Sequence, residues 1–271
     1  MLGRGRSWGR LALLALLATN AEASDAPALE QTETLPATID LVEEQTNPFV
    51  ERTRSGKIIL ATGVERTGAR SSQNVSPLAA WSKFTLSSYA EYGATSQTTL
   101  IMSSQRGTDQ DGRTNSGGLG FRTHVSQWNE AWLFAEGMAH FGTGLASAPD
   151  KSAFAADLRL GLGTTFDVME RDAFALVTIG PRVIAGDSTN LRIEATFGVR
   201  PWASLLLLLQ SFNRIGERDY DGKRVSYTRA QASLVWDANS VYSVQLGAFA
   251  SLASASGRGE RGAIAALWRR F

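Results

Sequence analysis

Hydrophobic and polar positions alternate along most of this chain in short runs separated by clusters of turn residues. Along 189–200, Leu191, Ile193, Ala195, Phe197 and Val199 alternate with Arg192, Glu194, Thr196, Gly198 and Arg200. Along 151–163, Phe154, Ala156, Leu158, Leu160 and Leu162 alternate with Ala155, Asp157, Arg159, Gly161 and Gly163. A period of two is that of a β-strand, whose successive side chains point to opposite faces. Runs of this kind predict strands at 57–65, 82–92, 97–106, 116–125, 130–141, 151–163, 172–185, 189–200, 203–214, 224–236, 240–252 and 260–271. Most have the roughly 9–13 residues that a tilted strand needs to cross a bilayer, whereas strands of soluble proteins average nearer 5–6.

The connections between these runs alternate too. Those after the second, fourth, eighth and tenth are short, "GATS", "SQWN", "PW" and "DAN". Those after the first, third, fifth, ninth and eleventh are mostly longer and polar, as in "GTDQDGRTN" and "IGERDYDGK". Short turns at one end and longer loops at the other are the layout of an outer-membrane barrel. Two connections break the parity, a long "TTFDVMERD" after the sixth run and a short "GDS" after the seventh. A soluble sandwich alternates as well. Strand length, loop parity and an even count favour an all-β fold, a closed antiparallel transmembrane β-barrel of about twelve strands.

The start of the chain has a different texture. Arg4, Arg6 and Arg10 precede the apolar run "LALLALLA", and "AEA" at 21–23 supplies small residues two apart, so residues 1–23 read as a cleaved signal peptide. Residues 24–56 carry Pro27, Pro36 and Pro48 with an acidic surplus and no period, and predict a mostly disordered periplasmic extension. The barrel then occupies 57–271. Removal of 1–23 takes away three of the 27 basic and one of the 26 acidic residues and leaves a net charge of −1. Such balance speaks against nucleic acid as a partner, since those proteins carry a clustered basic excess. With no Cys, export does not bring a disulfide framework. The longest later apolar stretch, "WASLLLLLQSF" at 202–212, is too short to span a bilayer as a helix.

The final stretch "AIAALWRRF" puts Phe271, Leu267, Ala265 and Ala263 on one face. It resembles the C-terminal strand by which outer-membrane barrels engage the barrel-assembly machinery, with Arg269 where that pattern has an apolar residue. The stretch "LSSYAEYGATSQTTLIM", 86–102, resembles a hairpin of a family of outer-membrane transporters named for the meta-pathway of phenol degradation. That resemblance covers about a quarter of the barrel and implies a transporter-like function of unspecified substrate. In this hairpin Lys83, Thr85, Ser87, Tyr89 and Glu91 are expected to face the lumen, and Phe84, Leu86, Ala90 and Tyr92 the lipid.

Counting from the short turns, and ignoring shear, the lumen-lining candidates are Glu136, Asp157, Arg159, Arg192, Glu194, Arg229, Gln231 and Gln245. Two readings of this belt stay open. It is a constriction that sorts small solutes by charge, or a set of ion pairs that fills a narrow barrel. His124 and Ser126 are two apart, which in a regular strand puts a base and a nucleophile on one face, so an outer-membrane lipid hydrolase is an alternative. A structural accessory barrel of an export system is another. His140 and Glu136 share a face but lack an evident third ligand, so neither a metal nor a cofactor is expected. Trp81, Trp128, Trp132, Trp202, Trp236 and Trp268 lie near predicted strand ends and read as an interfacial belt that contacts outer-membrane lipid. Glycine-rich pieces such as "SGGLGF" precede no helix; they read as relief of crowding rather than phosphate cradles.

Overall fold

The computed structural model describes residues 56–67, 83–109, 112–143, 152–218, 224–254 and 260–271. The signal peptide, nearly all of the acidic extension, and Trp81 lie outside these residues. Twelve antiparallel strands close into one barrel in which every strand pairs with its sequence neighbour and the first pairs with the last. They are β1 (Gly56–Thr67), β2 (Lys83–Gly93), β3 (Thr98–Asp109), β4 (Gly112–Trp128), β5 (Ala131–Thr143), β6 (Ser152–Val168), β7 (Arg171–Ile184), β8 (Thr189–Trp202), β9 (Leu205–Arg218), β10 (Arg224–Asp237), β11 (Tyr242–Ser254) and β12 (Glu260–Arg270). Closure leaves no open edge, which is what a strand-built wall in lipid requires. Phe271 completes the seam: its N–H donates to Gly56 O at 3.0 Å, and Gly56 N–H donates back to Phe271 O at 2.9 Å.

The parity break after the sixth run disappears. Residues Thr164 to Val168 continue β6, pairing with Arg171 to Ala175 of β7, so the connection is only Met169–Glu170. Both turn residues have positive φ, 49° and 60°, the backbone of a tight hairpin turn that matches strand twist. The turns at 94–97, 129–130, 169–170, 203–204 and 238–241 therefore mark one end of the barrel, here the turn end. The opposite, loop end also differs from expectation: β9 runs on to Arg218, so "IGERDYDGK" is largely strand at its start. β3 and β4 run on to Asp109 and Gly112, so their connection is two residues rather than the nine of "GTDQDGRTN".

Alternation sorts the side chains into two environments. Leu158, Leu160, Leu162, Val244, Leu246 and Leu252 stand exposed on the outer wall, while Ala155, Asp157, Arg159, Ser243 and Gln245 are buried within. In the opening hairpin Thr85, Ser87, Tyr89 and Glu91 are buried and Phe84 and Tyr92 exposed; the side chain of Lys83 lies outside those described. So continuous an apolar exterior is a surface for hydrocarbon, since soluble proteins rarely expose apolar patches beyond a few hundred Å². Trp128, Trp202 and Trp236 are exposed on it at the turn end. Trp132 and Trp268 are not part of that belt. They are 8% and 1% exposed and point inward, and Trp268 Nε1–H donates to Gln245 Oε1 at 2.8 Å.

Inward aromatics are seated on glycines of the adjoining strand. A Cβ at Gly163 would lie 2.2 Å from the Trp132 ring, one at Gly161 2.0 Å from Phe134, and one at Gly198 2.2 Å from Phe174. Each pair is directly opposed in register. The glycine gives up its side-chain volume, and the large neighbour lies across the gap.

Candidate lumenal site

Ion pairs run around the inside of the wall from β1 to β8. Lys57 Nζ meets Glu91 Oε2 at 2.9 Å, and Tyr89 O–H donates to Glu91 Oε1 at 2.6 Å. Arg122 donates from Nη1 to the same Glu91 oxygen at 2.9 Å and from Nε and Nη2 to Glu136 Oε2 at 2.9 and 2.6 Å. Its guanidinium lies over the Phe134 ring, 5.1 Å from the centroid. Arg159 reaches Glu136 Oε1 at 3.3 Å and donates from Nη1 to both oxygens of Glu194 at 2.9 and 2.8 Å. Register explains the sequence of partners: Arg122 is directly opposite Glu136, and Glu136 directly opposite Arg159. Opposite charges in such positions stabilise a sheet face.

Asp157, two residues from Arg159 on the same face, is a second node. His140 Nε2 lies 3.1 Å from its Oδ2, and Arg182, Arg192 and Arg159 approach to 3.6, 3.7 and 3.8 Å. His140 is thus engaged by a carboxylate, and among the described residues no group of three or more His, Cys, Asp or Glu could hold a metal.

The rest of the interior differs. An apolar cluster includes Ile59, Tyr89, Ile101, Phe174, Leu206, Leu208, Val235 and Trp268; on β7, β9, β10 and β12 its members lie toward the turn end, while on β1 and β2 the Lys57–Glu91 pair lies nearer that end than Ile59 and Tyr89. On β9 to β11, Gln231 Nε2–H donates to Gln210 Oε1 at 3.0 Å, and the Arg229 guanidinium is held between Phe212 and Phe249, 5.0 and 4.9 Å from their centroids. Gln245 sits nearer the turn end, with Trp268, opposite Val235, whereas Arg229 is opposite Ser251 farther up the wall. At the turn rim Asp237 accepts from Arg200, Arg270 and Ser243 at 2.8, 3.1 and 2.6 Å.

Of the eight candidates, Glu136, Asp157, Arg159, Arg192, Arg229, Gln231 and Gln245 are buried, and the Glu194 side chain is 12% exposed. The count from the turns passed over Lys57, Arg182, Asn190 and Arg214, all buried. The signal was present: Arg182 continues the alternation of Thr178 and Gly180, and Arg214 that of Gln210 and Phe212.

His124 and Ser126 do not share a face. A β-bulge falls between them, so that His124 pairs with inward Phe134 whereas Ser126 pairs with Leu133, the partner of outward Leu162. One extra residue, Val125, shifts the alternation by one and turns the hydroxyl away from the imidazole.

No family description matches this sequence and no curated protein is similar to it. Solved structures share its fold. A KdgM porin in complex with disordered oligogalacturonate superposes with a TM-score of 0.53 at 6% identity, covering 79% of this chain and 99% of that one. A NanC porin gives 0.51 at 7% identity, over 78% and 98% of the two chains. The translocator domain of the autotransporter NalP from Neisseria meningitidis gives 0.50 at 12%, over 84% and 91%. The chain has the fold of outer-membrane, porin-like β-barrels.

Proposed function

We propose that this chain is a channel or transporter of the outer membrane of a Gram-negative bacterium, passing small solutes through a narrow, charge-lined lumen. One observation carries the reading: a belt of both charge signs runs from Lys57 to Glu194 inside a wall whose exterior is apolar. Ionisable groups inside a membrane protein are costly and are kept where ions or polar solutes pass. Rings of charged side chains sort what goes through. The turn end faces the periplasm, residues 1–23 direct export, the closing strand to Phe271 engages the assembly machinery, and lipid covers the outer wall. The hairpin at 86–102 is what ties the chain to the meta-pathway transporters.

A second reading, a filled accessory barrel, is favoured by the same belt's dryness, since Arg159 is 3% exposed. Planar-bilayer recording on refolded protein separates the two. Stepwise currents support the channel; correctly folded protein that inserts and carries none supports the scaffold. A lipid hydrolase is disfavoured by the bulge at Val125, and its test is direct: phospholipid incubated with the protein should yield no lysolipid.

A further inference from the structure

We propose that the outer wall over β3 and β4, in its loop-end half, binds the phosphorylated glycolipid of the outer leaflet, lipopolysaccharide, with Arg106 and Arg113 holding a phosphate group. The proposal rests on the orientation given above, in which the turn end faces the periplasm, and not on conduction.

Charge is divided unevenly between the two faces of the wall. Arg106, Arg113, Arg171, Arg261 and Arg269 stand exposed at outward positions. Among the strand residues whose side chains are described, no carboxylate does; Glu91, Glu136, Asp157 and Glu194 all point inward. The outward charge is therefore of one sign. Arg171 and Arg269 lie at the turn end, and the other three in the loop-end half. Arg106 is directly opposite Asn115 and Arg113 directly opposite Thr108, so the two arginines are diagonal on adjacent strands of one face. Cβ atoms in that relation are about 7–8 Å apart, a gap that two long side chains close around one anion. Like charges at such range repel unless something negative lies between them.

The apolar band is interrupted at the same place. Along β6 the outward row runs Phe154, Ala156, Leu158, Leu160 and Leu162. Along β3 it is only Leu100 and Met102 before Ser104, Arg106 and Thr108 follow. Ser104 Oγ lies 2.7 Å from Ser88 Oγ of β2, and Asn115 continues the polar patch onto β4. An arginine that faces hydrocarbon is costly, and the cost fades at headgroup level. Polar groups this far down the wall therefore call for a polar part of a lipid beside them.

The chemistry of the donors selects the occupant. A guanidinium presents a planar fork that matches phosphate oxygens. The hydroxyl of Thr108 and the amide of Asn115 add neutral donors and acceptors, which suit the hydroxyls of a phosphorylated sugar. A second copy of this chain, docked here about a two-fold axis along the membrane normal, would set arginine against arginine.

The test is native mass spectrometry of the folded full-length protein in detergent, titrated with bis-phosphorylated lipid A, with the same lipid A after phosphatase treatment, and with phosphatidylglycerol. Bis-phosphorylated lipid A should bind about ten-fold more tightly than either of the others. Its affinity should fall about ten-fold in Arg106→Gln/Arg113→Gln and stay unchanged in Arg171→Gln/Arg269→Gln. Folding is checked by heat-dependent gel migration; where the first double variant does not fold, Arg106→Lys/Arg113→Lys, which keeps the charge and loses the fork, takes its place and should also bind more weakly. Equal binding of phosphatidylglycerol, unchanged affinity in the folded loop-end variant, or loss in the turn-end variant would overturn the site. So would a lipid-free dimer that Arg106→Gln/Arg113→Gln abolishes, since a second copy would then be the occupant. A barrel that conducts yet binds lipid A no better than phosphatidylglycerol refutes the site alone, and one that binds lipid A through Arg106 and Arg113 yet carries no current refutes the channel alone.

Discussion

Trp132 lies over Gly163 as Phe134 lies over Gly161, and each ring occupies the volume its partner gives up. Gly163→Val would force the indole aside in a packed interior. Overpacking of this kind costs about 1–3 kcal/mol. Urea titration of the refolded variant should show that loss, while the same substitution at the outward Gly137, whose Cβ would meet only the Phe121 ring at 3.5 Å, should cost far less. This inward seat was readable from the chain, because Trp132 shares its parity with Phe134 and Glu136; proximity to a strand end made it look interfacial instead. Trp268 was less readable, since its Gln245 partner belongs to another strand and depends on register. Alternation likewise puts Arg159 and Glu194 on inward faces without saying that they meet, which is a matter of shear and stagger across β6 to β8.

At the scale of elements, the β6–β7 hairpin shows where a sequence hides its turn. Met169 and Glu170 both hold positive φ although neither is Gly, Asn or Asp, so no turn signal announces them and the strand edge was set too early. Left-handed backbone costs an ordinary residue about 1 kcal/mol or more. Glu170→Gly should recover about 1 kcal/mol in the same urea titration, and no gain would show that the Glu170 side chain contributes there. The bulge at Val125 is equally silent in the sequence, yet it decides that His124 and Ser126 point apart. The strands themselves were legible because alternation is enforced by two different solvents. Leu160→Arg should destabilise the barrel in lipid by about 2–4 kcal/mol, far more than Thr196→Arg on the inner face. Equal losses at both positions would mean that the faces are reversed.

At the scale of the molecule, twelve strands enclose an interior of two kinds, an apolar cluster and a belt of paired charges. The count, the closure and the turn parity followed from periodicity and connection length, since both reflect the thickness of a bilayer. Whether the belt sorts solutes or simply fills the barrel is a question of energetics that periodicity does not address. Arg159 is the residue on which both answers turn, because it joins Glu136 to Glu194. In a static packed network its removal strands a buried carboxylate and costs about 3–5 kcal/mol. In a working lumen an ion feels the nearest charges over a Debye length of about 8 Å at physiological salt, so the loss of one cation changes who passes. The measurement that decides is the reversal potential under a potassium chloride gradient, wild type against Arg159→Ala, in planar bilayers. The channel account predicts measurable current in both and a shift toward cation selectivity in the variant. A folded variant that conducts with the wild-type reversal potential would contradict it.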